Sequence, residues 1–459
     1  MMKDATKENK IITFGCRLNA YESQAIKNAL LNSGLENLVV FNSCAVTAAA
    51  ERDLRSSIRR VRKENPEAKI VVTGCAAQID PKKYAKMSEV DLVLGNDKKS
   101  DIESYLNLEE DNDKRGFDFE GGSTSFKSHE DRIFFAQKKI ENILINEEEE
   151  AKIKVNDIMS VRKTAPQLVS YFENQTRAFL EIQNGCNHRC TFCVIPFGRG
   201  NSRSVAFGDI VTKVKEMVAN GHKEVVLTGV DISGYGEDLP VKINLSQMIK
   251  RLLKLVPELP RLRLSSIDVA EIDEGFFDLI ANEKRFMPYF HLSVQSGDNL
   301  ILKRMKRRHT RQQVIDFCKK AKELRPEIAF GCDIIAGFPC EDNDAFENSL
   351  NLIKEANLIF THIFPYSKRV GTPAARMPQV SGKIIKERAK KLRLAGQEQL
   401  KLFMQNQIGK KLKVLIEKDG FARAENFLEV KISNNNLIPG EIIEVEIVGF
   451  AENYLIADV

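Results

Sequence analysis

Cys186-Asn-His-Arg-Cys190-Thr-Phe-Cys193 follows a short apolar run, Ala178-Phe-Leu-Glu-Ile-Gln183, and reads as the loop beyond a β-strand. Three thiolates within eight residues can ligate three corners of an iron-sulfur cluster. A cubane of four irons then keeps one iron without a protein ligand, and an open iron can bind a small molecule. A zinc knuckle is the other reading. Zinc sites normally pair CxxC halves and finish with a fourth Cys or a His. His188 lies between the first two cysteines, awkwardly placed to close a tetrahedron, so the spacing favours the cluster.

On the carboxyl side of Arg177 the sequence alternates strand-like runs with helical stretches. The runs are Phe179 to Gln183, Glu224 to Thr228, Leu262 to Ser266, Tyr289 to Val294, Ile328 to Ile334 and Asn357 to Phe364. Six βα units fit a partial barrel, whose chemistry belongs at the carboxyl ends of the strands. Those ends carry Gly229 and Asp231, then Ser265, Ser266 and Asp268, then Ser293 and Gln295, then Asp333. They offer hydroxyl, carboxylate and amide partners for a ribose or a carboxylate. Cys318 and Cys332 fall on core positions by pattern, and Cys340 receives no role.

On the amino side, Lys10 to Phe14, Leu38 to Phe41, Lys69 to Thr73 and Asp91 to Leu94 read as strands of a parallel α/β layer, expected to be doubly wound. Cys16, Cys44 and Cys75 fall just past the first three. Their separations of 28 and 31 residues match one βαβ unit, which places all three at one carboxyl edge. A shared ligand is expected there, a second four-iron cluster with one open iron. The helical stretch from Thr47 to Glu64 puts Arg52, Arg55, Arg59 and Arg62 on one face. That face is either solvated or a phosphate-contacting stripe. Lys303-Arg304-Met-Lys306-Arg307-Arg308 is a second basic cluster with the same two readings.

Thr13-Phe-Gly-Cys-Arg-Leu-Asn19, Asn42-Ser-Cys-Ala-Val-Thr47 and Val72-Thr-Gly-Cys-Ala-Ala-Gln78 resemble the amino-terminal domain of the methylthiotransferases. The triplet from Cys186 resembles the cluster loop of the radical S-adenosylmethionine (radical SAM) enzymes. Gln295-Ser-Gly297 and Gly337-Phe-Pro339 agree with the same family, so the resemblance covers nearly the whole chain. It implies two 4Fe-4S clusters, held by Cys186, Cys190 and Cys193 and by Cys16, Cys44 and Cys75. It also implies S-adenosylmethionine as cofactor, with Gly229 where the family binds its amino group. The implied architecture is an amino-terminal α/β domain over 1–107, an extended linker over 108–173, a radical SAM barrel over 174–402 and a small all-β barrel over 403–459. The last resembles the TRAM module, an RNA-binding unit. Its six basic and nine acidic residues from Gln407 onward leave RNA contact to local patches such as Lys410 and Lys411.

The implied reaction is transfer of a methylthio group to an unactivated C-H. It requires a one-electron reductant of the flavodoxin or ferredoxin class and a sulfur donor. Thr13 to Ser23 and Cys44 to Arg52 look most like the branch that modifies N6-threonylcarbamoyladenosine 3′ of the anticodon, which makes a tRNA anticodon loop the expected partner. The branches acting on N6-isopentenyladenosine or on a ribosomal-protein aspartate are the alternatives. From another class, a cluster-containing RNA-binding protein without turnover would explain the basic patches but not two cysteine trios. An electron carrier would need no polar series at the strand ends.

Composition sets the outer bounds. A chain of 459 residues is too long for one core and predicts two or three domains. A net charge of +5 is compatible with RNA without arguing for it. No apolar run reaches membrane-span length and the start has no signal-peptide core, so a cytoplasmic protein without membrane contact is expected. Nine cysteines in such a chain point to metal or redox chemistry rather than disulfides.

Overall fold

The computed structural model describes residues 8–31, 33–106, 150–162, 169, 176–433 and 437–458. It divides into two units, Met1–Val161 with Phe197–Gly200, and Arg162–Pro196 with Asn201–Val459.

The first unit is one parallel sheet of five strands, β1 (Lys10–Thr13), β2 (Leu38–Ser43), β3 (Lys69–Gly74), β4 (Leu92–Leu94) and β5 (Ile153–Lys154). β2 is buried along its whole length, as a near-continuous apolar run in a covered parallel sheet should be. The strands lie in sequence order, β1 to β5. The expected parallel α/β layer is therefore present, but among the described residues the strand order shows no reversal of the kind that defines a doubly wound sheet. β5 falls inside the stretch expected as linker and pairs with β4. The central part of that linker lies outside the described residues.

Two helices of this unit matter for the site. Helix α1 (Arg17–Leu30) packs Ile26 and Leu30 against Val40 and Val71 of the sheet. Helix α2 (Ala48–Glu64) begins where Thr47 accepts a hydrogen bond from the Ala50 amide at 3.2 Å. Thr47→Ala removes that cap and is expected to lower stability by about 1 kcal/mol. A shift of the urea midpoint at unchanged m-value checks it.

The second unit contains the barrel. Strands β6 (Arg177–Glu181), β9 (Glu224–Thr228) and β10 (Arg261–Leu264) form one parallel sheet, after a short β7–β8 ladder (Gln183–Asn184 with Arg203–Ser204). β11 (Ser266–Ile267), β12 (Tyr289–Gln295), β13 (Ala329–Ala336) and β14 (Leu358–Pro365) form another. The third strand of the six expected units changes sheets at Ser265, between β10 and β11. A parallel bridge from Leu262 to Phe286 links the two sheets. Among the described residues β6 and β14 do not pair, which leaves the barrel open.

A closed barrel in the order β15 (Lys411–Ile416), β16 (Phe421–Ala424), β17 (Glu429–Ile432), β19 (Leu455–Asp458), β18 (Ile442–Phe450) completes the unit. β16 carries no β-branched residue, so the expected four strands become five. It follows a tight turn in which Asp419 and Gly420 both have positive φ, the geometry of a two-residue hairpin. The long helix Gly382–Gln405 ends with Met404 in the core of this small barrel.

The small barrel is fastened to the starting ends of the larger barrel's strands. Arg263, fully buried, grips Glu224 through two bonds of 2.7 and 3.2 Å and donates to the Glu425 carbonyl at 2.9 Å. Arg261 donates to the Lys413 carbonyl. Phe427 stacks on Tyr289 at 4.5 Å, with Arg177, Arg263 and Arg423 about its ring. No described helix is long and apolar enough to cross a membrane.

Candidate cluster sites at the strand ends

Parallel pairing places the loops after β1, β2 and β3 at one edge of the first sheet, and those loops carry Cys16, Cys44 and Cys75. Cys16 is exposed; Cys44 and Cys75 are buried. Small residues and amides shape the loops. Gly15, at φ +102°, leaves room for the Cys44 side chain, since a Cβ there would lie 2.9 Å from its sulfur. Asn19 donates to the carbonyls of Phe14 and Ser43 at 2.7 and 3.1 Å. Ser43 accepts from the amides of Ala76 and Ala77, just after Cys75. Burial pushes the Cys44 thiol up to about 11, and the neighbouring Cys75 and Cys16 reinforce the shift.

Charge supplies the test of what this trio holds. Arg199, within the segment 197–200 of the same unit, is 3% exposed and binds Glu22 through 2.8 and 2.9 Å contacts. Lys99, 4% exposed, reaches the same carboxylate at 2.6 Å. Two buried cations thus share one buried carboxylate. Burial opposes ionisation of Glu22, but Arg199 and Lys99 outweigh it and hold the carboxyl at about 2. Burial and Arg199 lower the pKa of Lys99 while Glu22 opposes the shift, and an anion beside this cluster would offset its positive charge. Arg199 lies in the field of Cys75 and Cys16. Three thiolates on a cluster are the matching anion, and the residues fit it.

In the second unit, Gln183 organises the cysteine loop. Its side chain, wholly buried, donates to the Gly185 carbonyl at 2.7 Å and to the Ser202 hydroxyl. Its carbonyl accepts from the amides of Val230 and Asp231. Each thiol of the triplet meets N–H donors: His188 amide to Cys186 at 3.4 Å, Ile195 amide to Cys193 at 3.4 Å, and Arg307 to Cys190 at 3.8 Å. Donors directed at sulfur fit a cluster and tune it. Asp231 lies 3.6 Å from the Cys186 sulfur and 2.8 Å from His188. Cys186, His188 and Asp231 alone are also close enough to hold a single cation. His188 donates hydrogen bonds to the carboxylates of Asp231 and Glu271, which raise its pKa to about 10.

The remaining expected residues differ in their surroundings. Ser265 presents a buried hydroxyl without a partner among the described residues, at the point where the two barrel sheets meet, with Ser266 beside it. Gln295 ends β12 at φ +68°, a conformation unusual for a side-chain residue. At Gly229 a Cβ would lie 2.5 Å from the Gln183 backbone carbonyl, so the backbone there passes close to the cysteine loop. The carboxylate of Asp333 is shared by His291 and His362.

The basic positions separate as sharply. Arg52 is exposed, as are Lys410 and Lys411. Arg59 is exposed with Glu89 at 3.6 Å, and Arg55 has Glu51 at 4.0 Å. Arg304 donates to the Cys340 carbonyl. Two expectations are corrected. Arg62 is used within its own unit, by Asp91 at 2.6 Å and the carbonyls of Pro66, Ala68 and Glu89. Arg307, its side chain 8% exposed, binds Asp268 at 2.8 Å and the Ser293 carbonyl at 2.7 Å. Both guanidiniums are engaged by several protein groups within their own units.

Two family models match the chain, the Radical SAM superfamily over residues 180–353 and the uncharacterized protein family UPF0004 over residues 8–95. The threonylcarbamoyladenosine tRNA methylthiotransferase MtaB of Rickettsia prowazekii (strain Madrid E) is 52% identical over 446 residues, covering 97% of this chain and 96% of its own. MtaB of Aquifex aeolicus (strain VF5) is 35% identical, over 91% of this chain and 95% of its own. The tRNA-2-methylthio-N(6)-dimethylallyladenosine synthase of Orientia tsutsugamushi (strain Boryong) is 30% identical, covering 98% of each. Among solved structures, the radical S-adenosylmethionine methyltransferase TsrM from Kitasatospora setae shares the fold at TM-score 0.51 and 16% identity, over 81% of this chain and 74% of that one.

Proposed function

The chain belongs to the MtaB family of threonylcarbamoyladenosine tRNA methylthiotransferases, and from that premise we propose that it transfers a methylthio group to C2 of N6-threonylcarbamoyladenosine at position 37 of tRNA, with two 4Fe-4S clusters. Cys186, Cys190 and Cys193 hold one cluster, and Cys16, Cys44 and Cys75 the other. With S-adenosylmethionine bound, the first supplies hydrogen abstraction from a C–H that has no accessible pKa, chemistry no side chain can provide. The protein's part is placement. Gln183 fixes the cysteine loop to the Val230–Asp231 amides, and Arg307 joins Cys190 to Asp268. Ser265, Ser266 and Gln295 stand where a cofactor's hydroxyls and carboxylate need partners. Arg199 and Lys99 balance the charge of the second trio.

The observation that carries this reading is the pair of cysteine trios, each at the carboxyl ends of parallel strands and each met by cationic or N–H donors. A one-electron reductant and a sulfur donor complete the reaction. RNA contact falls to Arg52, Arg55, Arg59, Arg304, Lys410 and Lys411. Arg52→Ala is expected to weaken tRNA binding and to flatten its dependence on log salt by about one unit, the signature of one lost phosphate contact. Binding measured across a salt series checks it.

The deciding experiment compares tRNA nucleosides by mass spectrometry from cells with and without the chain. Loss of only the 2-methylthio form of N6-threonylcarbamoyladenosine is expected. Loss of the methylthio group from the isopentenyl nucleoside instead would move the substrate to that branch. No change in either would remove RNA as the substrate.

A further inference from the structure

Three adjacent barrel strands bring one residue each to a common point. His291 on β12, Asp333 on β13 and His362 on β14 place Nε2, Oδ1 and Nδ1 within 4.8 Å of one another. His291 Nε2 lies 3.0 Å and His362 Nδ1 3.4 Å from the same carboxylate oxygen. Ligand atoms at about 2.0–2.2 Å from a zinc ion stand roughly 3.3–3.5 Å apart in a tetrahedron. Each imidazole nitrogen therefore stands within about half an ångström of metal-binding separation from the carboxylate oxygen, and the two imidazole nitrogens lie within 4.8 Å of each other.

The surroundings are built for it. His291 is buried, and its other nitrogen meets the Tyr289 hydroxyl at 3.0 Å, the outer contact that sets which nitrogen faces a metal. Tyr289 is fixed by stacking on Phe427. Gly331 makes the space for this pair, since a Cβ there would lie 2.5 Å from the Tyr289 hydroxyl and 2.6 Å from His291 Nδ1. His362, its side chain 60% exposed, leaves one side open to solvent for loading and for a fourth, oxygen ligand.

We propose that His291, Asp333 and His362 form a mononuclear divalent-metal site of the zinc class, separate from both cysteine trios. Two imidazoles and a carboxylate with an open position are a ligand set found in catalytic zinc sites. Asp333 also suits a cofactor partner; the transfer proposed above gives that role to Ser265, Ser266 and Gln295, so the site stands or falls independently of that reading.

The test uses the full chain with both cysteine sites loaded with iron and sulfide, so that added zinc does not enter them. After incubation with Zn²⁺ alone and gel filtration, wild type is expected to retain about one zinc per chain. His362→Ala, an exposed position whose loss should not disturb folding, is expected to retain none while its iron content stays unchanged. Tyr289→Phe keeps the stack on Phe427 and removes only the hydroxyl; its zinc affinity should fall about 10–100-fold. Anomalous diffraction at the zinc edge should place the ion between the three side chains. Equal zinc in wild type and His362→Ala, or no zinc in either, would overturn the proposal and leave a hydrogen-bonded His–Asp–His chain.

Discussion

Cys190→Ala is expected to abolish reductive cleavage of S-adenosylmethionine and to leave about four irons per chain in place of about eight, whereas Cys44→Ala leaves the same iron content but keeps cleavage and loses methylthio transfer. The asymmetry follows from the two sites. Cys190 belongs to the loop that Gln183 ties to β9's end, beside the polar residues available to a cofactor. Cys44 follows β2 and shares that sheet's edge with Cys16 and Cys75, braced by Asn19 and Ser43. In the Cys44 variant 5′-deoxyadenosine should therefore still form in the presence of reductant, uncoupled from product. Chromatography of 5′-deoxyadenosine together with tRNA nucleoside analysis distinguishes the two variants. If both lose cleavage equally, the division of labour between the trios is wrong.

Arg199→Met is expected to remove about 3–5 kcal/mol from the cluster-loaded protein, the usual effect of breaking a buried ion pair. The cluster-free protein should lose less, because with neutral thiols it already buries more positive than negative charge. Removing a cation also makes each added electron less favourable, so the potential of the cluster on Cys16, Cys44 and Cys75 should move negative. The other cluster's should not. Thermal unfolding with and without cluster, and redox titration followed by EPR, read these effects. Equal destabilisation of both forms with an unchanged potential would reduce Arg199 to a packing residue.

The pH dependence gives a further check. Glu22 is held at about 2 against an ordinary 4.5. Its ion pairs contribute fully above 4.5, and the contribution is lost as pH falls toward 2. The gap between wild type and Arg199→Met should narrow over that window.

How much of this is legible in residue order depends on the range of the interaction involved. The cysteines are legible because their separations equal a βαβ repeat, and parallel strands deliver successive loops to one edge. The six-unit barrel is legible for the same reason: alternating apolar runs and helical stretches are local. β5, two residues long, and β16, without β-branched residues, carry too little pattern to stand out. The charges are least legible. Steps of four and three put Arg62 on the face of Arg55 and Arg59, yet Asp91 and three carbonyls claim it. Arg307 belongs to a basic run in sequence and to Asp268 in space.

The sequence by itself therefore determined the chemistry: two trios of thiolates, their edge and the class of reaction they serve. Tertiary structure alone decided which charged groups are partners. Arg199 meets Glu22 across 177 residues, and His291, Asp333 and His362 come from three separate strands. The physical reason is that backbone pairing and apolar periodicity repeat along the chain, whereas buried charges are matched by proximity that the chain's order does not encode.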